Sequence, residues 1–425
     1  MFVLEKLELP KLGLAGLEGA LTADELALQR SVHQFAETVM RPIGRDLDRM
    51  APDEVVAPGS PLFTFLQRFK DAGIVDLPTL ATLPNEQKGR LMPIIFEELG
   101  WGDAGLALLG LVSSFPAFAA YTTGNPELID RFGDVLGCWL GTQPDRGGDV
   151  VDLDVQEVHP GARQDKGNLG ARVEGDEVVI TGQSSAWVSG APIAQAAFAY
   201  VPCDYGDGLY RGAGLQHIAI LIPLDLAGVS KGKPVDKLGQ RTLPQGELFF
   251  DDVRVPGKYV VAGKDTAIAS MVGALTFGNM EMGATFTGVA RAAFEHALAY
   301  VHERHQGGVK LVAHQTVRLR LFTMWQKLEA ARALSRRVFA YNYGPHGPHV
   351  MASITSKTFV TQTALELANE AIQLFGGNGL TKEYPVEKLM RDARAALIED
   401  GENTLLGLKA ASWLSRWYEA QHDVH

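Results

Sequence analysis

The hydrophobic pattern changes twice along the chain, and its first part has the period of an α-helix. Thr22 followed by Glu25 is a capping box, and beyond it apolar residues recur every three or four positions. Pro42 is expected to interrupt the first helix. The periodicity predicts four helical stretches, over 21–50, 61–73, 86–111 and 113–133. Because they follow one another closely, we expect a helical domain over residues 1–136.

The second part of the pattern is typical of β-strands. Short alternating or β-branched runs such as Val178–Thr181 and His217–Ile222 are separated by Gly and Asp turns. These runs predict a small β domain over residues 137–260. Within it, the more polar segment 151–170 is expected to be a loop.

Helical periodicity returns in the last part of the chain. It predicts four long stretches, over 264–305, 311–343, 350–374 and 385–420. Short Gly/Pro breaks favour antiparallel neighbours, so residues 261–425 are expected to form a four-helix bundle. The predicted fold is therefore α+β and multidomain, with an N-terminal helical domain, a central small β domain and a C-terminal four-helix bundle.

Composition narrows the possible functions. The 425 residues are 46% hydrophobic, enough for a large core, and the net charge of −11 comes without a basic run, which argues against a nucleic-acid partner. Cys138 and Cys203 show no metal-ligand spacing and fit a reducing cytoplasm, so we expect no metal and a cytoplasmic protein. No apolar run is expected to reach the roughly 18 residues of a membrane span.

One stretch near the C-terminus is unusually specific. A helical pattern runs into Phe375 and stops at Gly376 and Gly377, where glycine lets backbone N–H groups approach a ligand. From Gln373 to Ala393 the chain reads QLFGGNGLTKEYPVEKLMRDA. This resembles the C-terminal signature of the acyl-CoA dehydrogenase family, whose order of helical domain, β domain and bundle is also the order predicted here.

The resemblance implies FAD as cofactor, bound by residues from two parts of the chain. Thr142 stands where the family's threonine meets the isoalloxazine edge, and Trp187 and Ser189 stand in a motif that covers the flavin ring. Trp187 could instead be a core tryptophan, and Arg304 could complement a helix dipole rather than bind the pyrophosphate. The residues implied to hold the adenine and pyrophosphate end, across a subunit interface, are Arg304, Gln373, Gly376 and Gly377.

The same resemblance implies a substrate site that departs from the family at several positions. Gly148 replaces a serine near the CoA chain, and Asn279 replaces an arginine. Gly401 keeps the glycine of the loop that usually carries the catalytic glutamate. We expect these three residues to lie at the substrate.

The catalytic base is the least determined part of the site. The family carries its glutamate either in a Y-E-G-T loop or on the first bundle helix, and these positions correspond to Asp400 and Gly278. A desolvated carboxylate suits proton abstraction from a substrate Cα. The candidates are Asp400, then Glu399, then Glu281, which lies on the same helix face as position 278.

Of three functions that fit these residues, we expect the first and keep the other two as alternatives. The first is FAD-dependent α,β-dehydrogenation of an acyl-CoA or carrier-protein thioester, with an electron-transfer flavoprotein or another acceptor as partner and a homodimer or homotetramer as assembly. The second is a flavoenzyme of the same fold with different chemistry, since nitroalkane oxidases use an aspartate at this loop position and desulfinases dispense with the usual base. The third is a non-catalytic partner subunit of a mixed oligomer.

Overall fold

The computed structural model describes Leu17 and residues 21–148, 167–211 and 214–422. The predicted loop over 151–170 therefore lies mostly outside the described residues. The N-terminal part is helical, as predicted. Its helices are α1 (Ala23–Phe35), α2 (Arg41–Asp48), α3 (Pro52–Val55), α4 (Pro61–Asp71), α5 (Leu77–Thr82), α6 (Asn85–Gly102), α7 (Ala104–Val112), α8 (Phe115–Thr123) and α9 (Pro126–Phe132).

The start of α1 is confirmed, but the interruption predicted at Pro42 is wrong. The Thr22 side chain accepts a hydrogen bond from the Glu25 N–H, and the Glu25 carboxylate accepts one from the Thr22 N–H. Between α1 and α2 the chain stays helical through a π-helical turn, Ala36–Met40. The wider turn places Pro42 in the first turn of α2, where a missing N–H is tolerated.

The central part forms strands, as the alternating pattern predicts. Eight of them make one sheet in the order β12–β8–β5–β2–β3–β11–β9, with β1 paired in parallel to β5. The strands here are β1 (Gly137–Leu140), β2 (Gly170–Glu174), β3 (Glu177–Gln183), β4 (Val188–Ser189), β5 (Ala196–Asp204), β6 (Tyr210–Arg211), β7 (Gly214–Leu215), β8 (His217–Pro223), β9 (Val229–Lys231), β10 (Gln245–Gly246), β11 (Leu248–Pro256) and β12 (Val260–Ala262).

The last part is a helical bundle, but its fourth predicted stretch is two helices. The chain leaves the helix between Leu397 and Glu402, so the stretch predicted over 385–420 is divided at the loop that the resemblance places around Gly401. The turn between the two helices carries the candidate bases. The bundle helices are α10 (Ala267–Glu303), α11 (Gln315–Asn342), α12 (Val350–Phe375), α13 (Val386–Ala396) and α14 (Asn403–His422), with a small hairpin of β13 (His305–Gln306) and β14 (Val309–Lys310) after α10.

Helices α6 and α10 cross in direct backbone contact. A Cβ added at Gly100 would lie 1.8 Å from the Thr285 carbonyl oxygen, and one at Gly288 would lie 2.0 Å from the Glu97 carbonyl oxygen. Only glycine permits this approach. The crossing packs the N-terminal helices against the bundle in one continuous apolar core.

Buried ion pairs connect α6 and α10 to each other and to α11. The Glu97 carboxylate accepts hydrogen bonds from Arg291 (2.8 Å), Arg332 (3.0 Å) and Arg336 (2.8 Å). Burial acts to raise the pKa of Glu97, but the three guanidinium groups hold it at about 2. Pairing and hydrogen bonding offset the desolvation of these charges, and the cluster fixes how α6, α10 and α11 meet.

One stretch has the length and composition of a membrane-spanning helix, Ala104–Thr123, which the sequence analysis does not anticipate. In the structure this stretch is divided into α7 and α8 at Ser113 and Ser114. Of its most apolar window, 61% is buried inside the protein. Core helices of this kind satisfy the same criterion.

Candidate active site

A cavity of about 780 Å³ opens between the sheet, helices α7 and α8, and the bundle. Its walls include nine of the residues that the sequence analysis selects, together with apolar side chains such as Leu108, Phe115 and Leu275. These nine are Thr142, Gly148, Trp187, Ser189, Asn279, Glu281, Glu399, Asp400 and Gly401. Residues from all three parts of the sequence therefore meet at one place.

Asp400 is held on the turn in an uncommon backbone conformation. Its φ is +50° and that of Gly401 is +96°. Glycine adopts such angles freely, and aspartate is among the few other residues that tolerate them. The two consecutive left-handed residues aim the Asp400 side chain towards α10, where a Cβ at Gly278 would lie 4.0 Å from its Oδ2. The two positions at which the family carries its glutamate thus border the same space.

The Asp400 carboxylate receives no hydrogen bond from any side chain or N–H group in the described part of the chain. Burial in the protein raises its pKa, and the nearby Lys357 ammonium acts in the opposite direction. A carboxylate that is desolvated and left without donors is a stronger base than one in water. This is the environment that proton abstraction from carbon requires.

The turn is anchored from α12 and α10. Lys357 is buried, and its Nζ donates hydrogen bonds to the Gly401 carbonyl (2.6 Å) and to Asn403 Oδ1 (2.7 Å). Asn279 Nδ2 donates to the Asp400 carbonyl at 3.2 Å and to the Leu275 carbonyl at 3.0 Å. Burial lowers the pKa of Lys357 to about 8, against the attraction of the acids on the turn. Asn279, which is expected to contact the substrate, borders the cavity. Its side-chain NH2 group, however, is already bonded to two backbone carbonyl groups.

Glu399 belongs to a separate set of contacts. Gln240 Nε2 donates to its Oε2 at 2.7 Å, and burial raises its pKa to about 7. The Gln240 backbone N–H donates to Asp392 Oδ1, which ties the same residue to α13. Burial lowers the pKa of the neighbouring Lys237 to about 8, and the Glu399 charge opposes that shift. Because it is already bound to Gln240, Glu399 is less suited than Asp400 to act as the base.

Glu281 lies deeper, on the cavity-facing side of α10. It is 3% exposed, and Thr285 Oγ1 donates to its Oε1 at 3.3 Å. Burial raises its pKa well above the usual value, and the charges of Asp400 and Glu399 add to that effect. Three acidic side chains therefore converge on one wall of the cavity.

On the sheet side, the cavity presents a flat aromatic surface. Trp187 is 59% exposed although it borders the cavity, so it is not a core tryptophan. Thr142 Oγ1 and Ser185 Oγ share a hydrogen bond of 2.6 Å, and the backbone N–H of Trp187 donates to Ser185 Oγ at 3.2 Å. Ser189 Oγ accepts from Gln245 Nε2 at 3.0 Å. An uncovered indole beside anchored hydroxyl groups fits a planar ring ligand.

The other four predicted cofactor residues do not border this cavity. Arg304, Gln373, Gly376 and Gly377 are all exposed at the far end of α10 and α12. Stacking of Tyr300 on Phe375, with ring centroids 3.9 Å apart, holds that end of the bundle together. Around Gly376 and Gly377 an added Cβ would meet nothing within 4 Å, so their backbone faces open space.

The departure at Gly148 has a packing explanation. A Cβ at this position would lie 2.8 Å from Leu405 Cδ2. Leu405, in the first turn of α14, therefore takes up the room that a serine side chain needs. A serine here would require Leu405 to shift.

Sequence reasoning missed two residues of the site. It does not include Lys237, which borders the cavity beside Glu399. It does not single out Lys357 at all. The available signal was a lone lysine within an apolar helical stretch of α12, a position where an unpaired charge is costly.

Comparisons with known proteins agree with this arrangement. The model of the family described as acyl-CoA dehydrogenase, C-terminal domain, matches residues 268–414. The cyclohex-1-ene-1-carbonyl-CoA dehydrogenase of Syntrophus aciditrophicus is 28% identical, with 78% of each chain covered. The mitochondrial short-chain specific acyl-CoA dehydrogenase of Rattus norvegicus is 29% identical, covering 92% of this chain and 90% of its own.

Solved structures show the same architecture. A glutaryl-CoA dehydrogenase from Mycobacterium smegmatis in complex with FADH2 superposes with a TM-score of 0.78, covering 94% of this chain and 97% of its own at 21% identity. At that identity the likeness is one of fold. The shared fold is therefore an N-terminal helical part, a central sheet and a C-terminal helical bundle. Residues 268–414 thus match the C-terminal domain of the acyl-CoA dehydrogenase family, and over most of its length the chain is similar to members of that family.

Proposed function

We propose that this protein catalyses the FAD-dependent α,β-dehydrogenation of an acyl thioester, carried by CoA or by a carrier protein. The observation that carries the proposal is the Asp400 carboxylate, which borders the cavity, accepts no hydrogen bond from the described residues and faces the gap at Gly278. The relatives named above bear the names of CoA-thioester dehydrogenases. A cavity of about 780 Å³ is large enough for a short acyl group beside a planar cofactor.

The residues of this chain fit a flavin. Trp187 offers its uncovered indole face, and Thr142 and Ser189 stand on the same wall of the cavity. These three would hold the ring end of FAD. When bound, FAD supplies an acceptor for the hydride that leaves the substrate Cβ.

Asp400 accepts the α-proton in this proposal. Its desolvation favours the protonated product of the transfer, and Lys357, by anchoring Gly401 and Asn403, keeps the turn in place. Aspartate is one methylene shorter than the family's glutamate. The empty position at Gly278 gives the substrate room to approach it.

The two groups of predicted cofactor residues support an assembly of two or more chains. Thr142, Trp187 and Ser189 border the cavity, whereas Arg304 and Gly376 are exposed at another part of the bundle. A homodimer or homotetramer would let Arg304 and the Gly376–Gly377 backbone of one chain hold the pyrophosphate and adenine of an FAD whose ring lies in another chain. An electron-transfer flavoprotein or another acceptor would then reoxidise the reduced flavin.

The visible spectrum of the purified protein tests the proposal. We expect a flavin spectrum that bleaches when a suitable member of a panel of acyl-CoA thioesters is added without an electron acceptor. Protein that contains no flavin and takes none up would contradict it. So would a bound flavin that no thioester reduces.

The aspartate itself favours a second candidate, oxidation of another carbon acid such as a nitroalkane. The same experiment separates the two. Flavin reduction by nitroethane but not by any thioester would select the second candidate. Flavin uptake only in the presence of a related chain would instead select the partner-subunit function.

A further inference from the structure

Glu281 is an unusual residue for the wall of an acyl-binding cavity. It is 3% exposed, borders the cavity, and lies on the same face of α10 as Gly278, one helical turn away. Apolar residues, among them Leu108, Phe115 and Leu275, line other parts of the cavity. A purely aliphatic acyl group would be bound most favourably by an apolar side chain at this position as well.

The hydrogen bonding of Glu281 is incomplete within the protein. Its Oε1 accepts from Thr285 Oγ1 at 3.3 Å, and no described residue donates to its Oε2. Among the described residues no basic side chain pairs with it, and the charges that act on it are those of the acids Asp400 and Glu399. A buried carboxyl group left this way is destabilising unless something else in the cavity completes its hydrogen bonds.

Glu281 differs from Asp400 in where it stands. Asp400 faces the gap at Gly278, where the reacting carbons have room, and Glu281 lies a turn further along α10 and is tethered to Thr285. A group bonded to Glu281 would therefore sit beyond the reacting carbons, on the rest of a short acyl chain. This separation assigns the two acids different tasks.

From this geometry we infer that Glu281 is a specificity-determining residue, which selects an acyl group bearing a hydroxyl substituent beyond its β-carbon. The inference rests on the proposed function. A hydroxyl suits the site because it donates to a carboxylate oxygen and accepts from a carboxylic acid. A site built to hydrogen-bond a substrate hydroxyl rejects an analogue that lacks it far more strongly than an apolar pocket rejects an extra methylene.

The test compares two CoA thioesters with the same number of acyl non-hydrogen atoms, 4-hydroxybutyryl-CoA and pentanoyl-CoA. With flavin-loaded protein and a dye acceptor, we expect kcat/KM to favour the hydroxylated thioester by about tenfold or more. Glu281→Leu should reverse the preference and raise turnover of pentanoyl-CoA. As a matched control, Glu247→Gln removes a carboxylate from the sheet side of the cavity and should leave the wild-type ratio in place.

Equal or better turnover of pentanoyl-CoA by the wild-type protein would overturn the inference, and this comparison needs no variant to fold. An unchanged ratio in Glu281→Leu would do the same. If folded, flavin-loaded Glu281→Leu turned over no thioester, Glu281 would be the base and the inference would fail.

A binding measurement separates this inference from the proposed function. The dissociation constants of the two 2-enoyl-CoA products, measured by titration calorimetry, do not depend on turnover. Tighter binding of the hydroxylated product that disappears in Glu281→Leu, without oxidation of any thioester, would sink the proposed function and keep the specificity role. Ready oxidation of thioesters with no hydroxyl preference in either measurement would keep the function and sink the specificity role.

Discussion

At Asp400, backbone conformation and chemistry point to the same residue type. A φ of +50° disfavours most side chains, and aspartate, whose short polar chain bonds locally, tolerates it better than glutamate does. The departure from the family's glutamate therefore matches the shape of this turn. Asp400 is the base that the sequence analysis places first, and its role stays a prediction.

We expect Asp400→Asn to keep the fold and the flavin but to lose reduction of the flavin by substrate. The amide is nearly isosteric and cannot accept the proton, so the rate should fall by about 10²–10⁴ or more. Stopped-flow absorbance of the flavin measures this. Asp400→Glu is the companion variant, which restores the reach of the family's residue and should retain reduction. Normal reduction by Asp400→Asn would remove Asp400 from the mechanism.

Lys357 provides a second prediction at the residue scale, on pH dependence. Since the ammonium lowers the pKa of Asp400, which burial raises, Lys357→Met should move that pKa further up. A base acts when deprotonated, so the rise of the flavin reduction rate with pH should shift to higher pH in the variant. A pH series of single-turnover rates checks the direction.

A merely structural lysine would change stability without moving the pH profile. For that reason the thermal midpoint of Lys357→Met should be recorded beside the rates. Loss of the two hydrogen bonds to Gly401 and Asn403 is expected to lower it. A lowered midpoint with an unmoved profile would show that Lys357 only supports the turn.

At the scale of elements, the crossing of α6 and α10 sets the position of the cavity wall. Gly288→Ala would bring a methyl group to 2.0 Å from the Glu97 carbonyl oxygen, so the helices must separate. Overpacking of this kind destabilises by about 1–3 kcal/mol, although alanine is otherwise the better helix former. Urea unfolding should show the loss.

Gly273 is the matched control on the same helix. An added Cβ there meets nothing within 4 Å, and the residue is exposed. Gly273→Ala should therefore stabilise the protein by up to about 1 kcal/mol. If both substitutions changed stability in the same direction, the close backbone contact would not be the cause.

The elements also show where pattern reasoning succeeds. The capping box at Thr22 and the alternating strands needed only local information, and both are confirmed. The break between α13 and α14 coincides with the loop that the family resemblance places around Gly401, although periodicity alone runs through it as one stretch over 385–420. There the left-handed conformations of Asp400 and Gly401 end the helix.

At the scale of the whole molecule, the prediction concerns FAD binding at the exposed end of the bundle, where Arg304 lies. If Arg304 reaches the FAD of another chain, Arg304→Ala should weaken FAD binding by roughly 1.5–3 kcal/mol, the range for a hydrogen bond to a charged group. Arg45, an exposed arginine of α2, is the control, and Arg45→Ala should leave the affinity unchanged. FAD titration of the apoprotein, followed by fluorescence, measures both.

Light scattering on the same samples adds the oligomeric state. Flavin retention by monomeric protein, with no effect of Arg304→Ala, would contradict a shared site. A dimer or tetramer whose flavin affinity falls only in the Arg304 variant would agree with it.

The sequence by itself determined most helices and strands, the resemblance to the acyl-CoA dehydrogenase family, and a short set of candidate acids, since periodicity, caps and motifs are properties of neighbouring residues. Only the tertiary structure decided which of those acids meet. Asp400, Glu399 and Glu281 converge with Lys357 because α10 and α12 pack together and the α13–α14 turn bends through two left-handed residues. That convergence depends on the crossing of distant elements, and desolvation there, which no local pattern reports, sets the ionisation of each group.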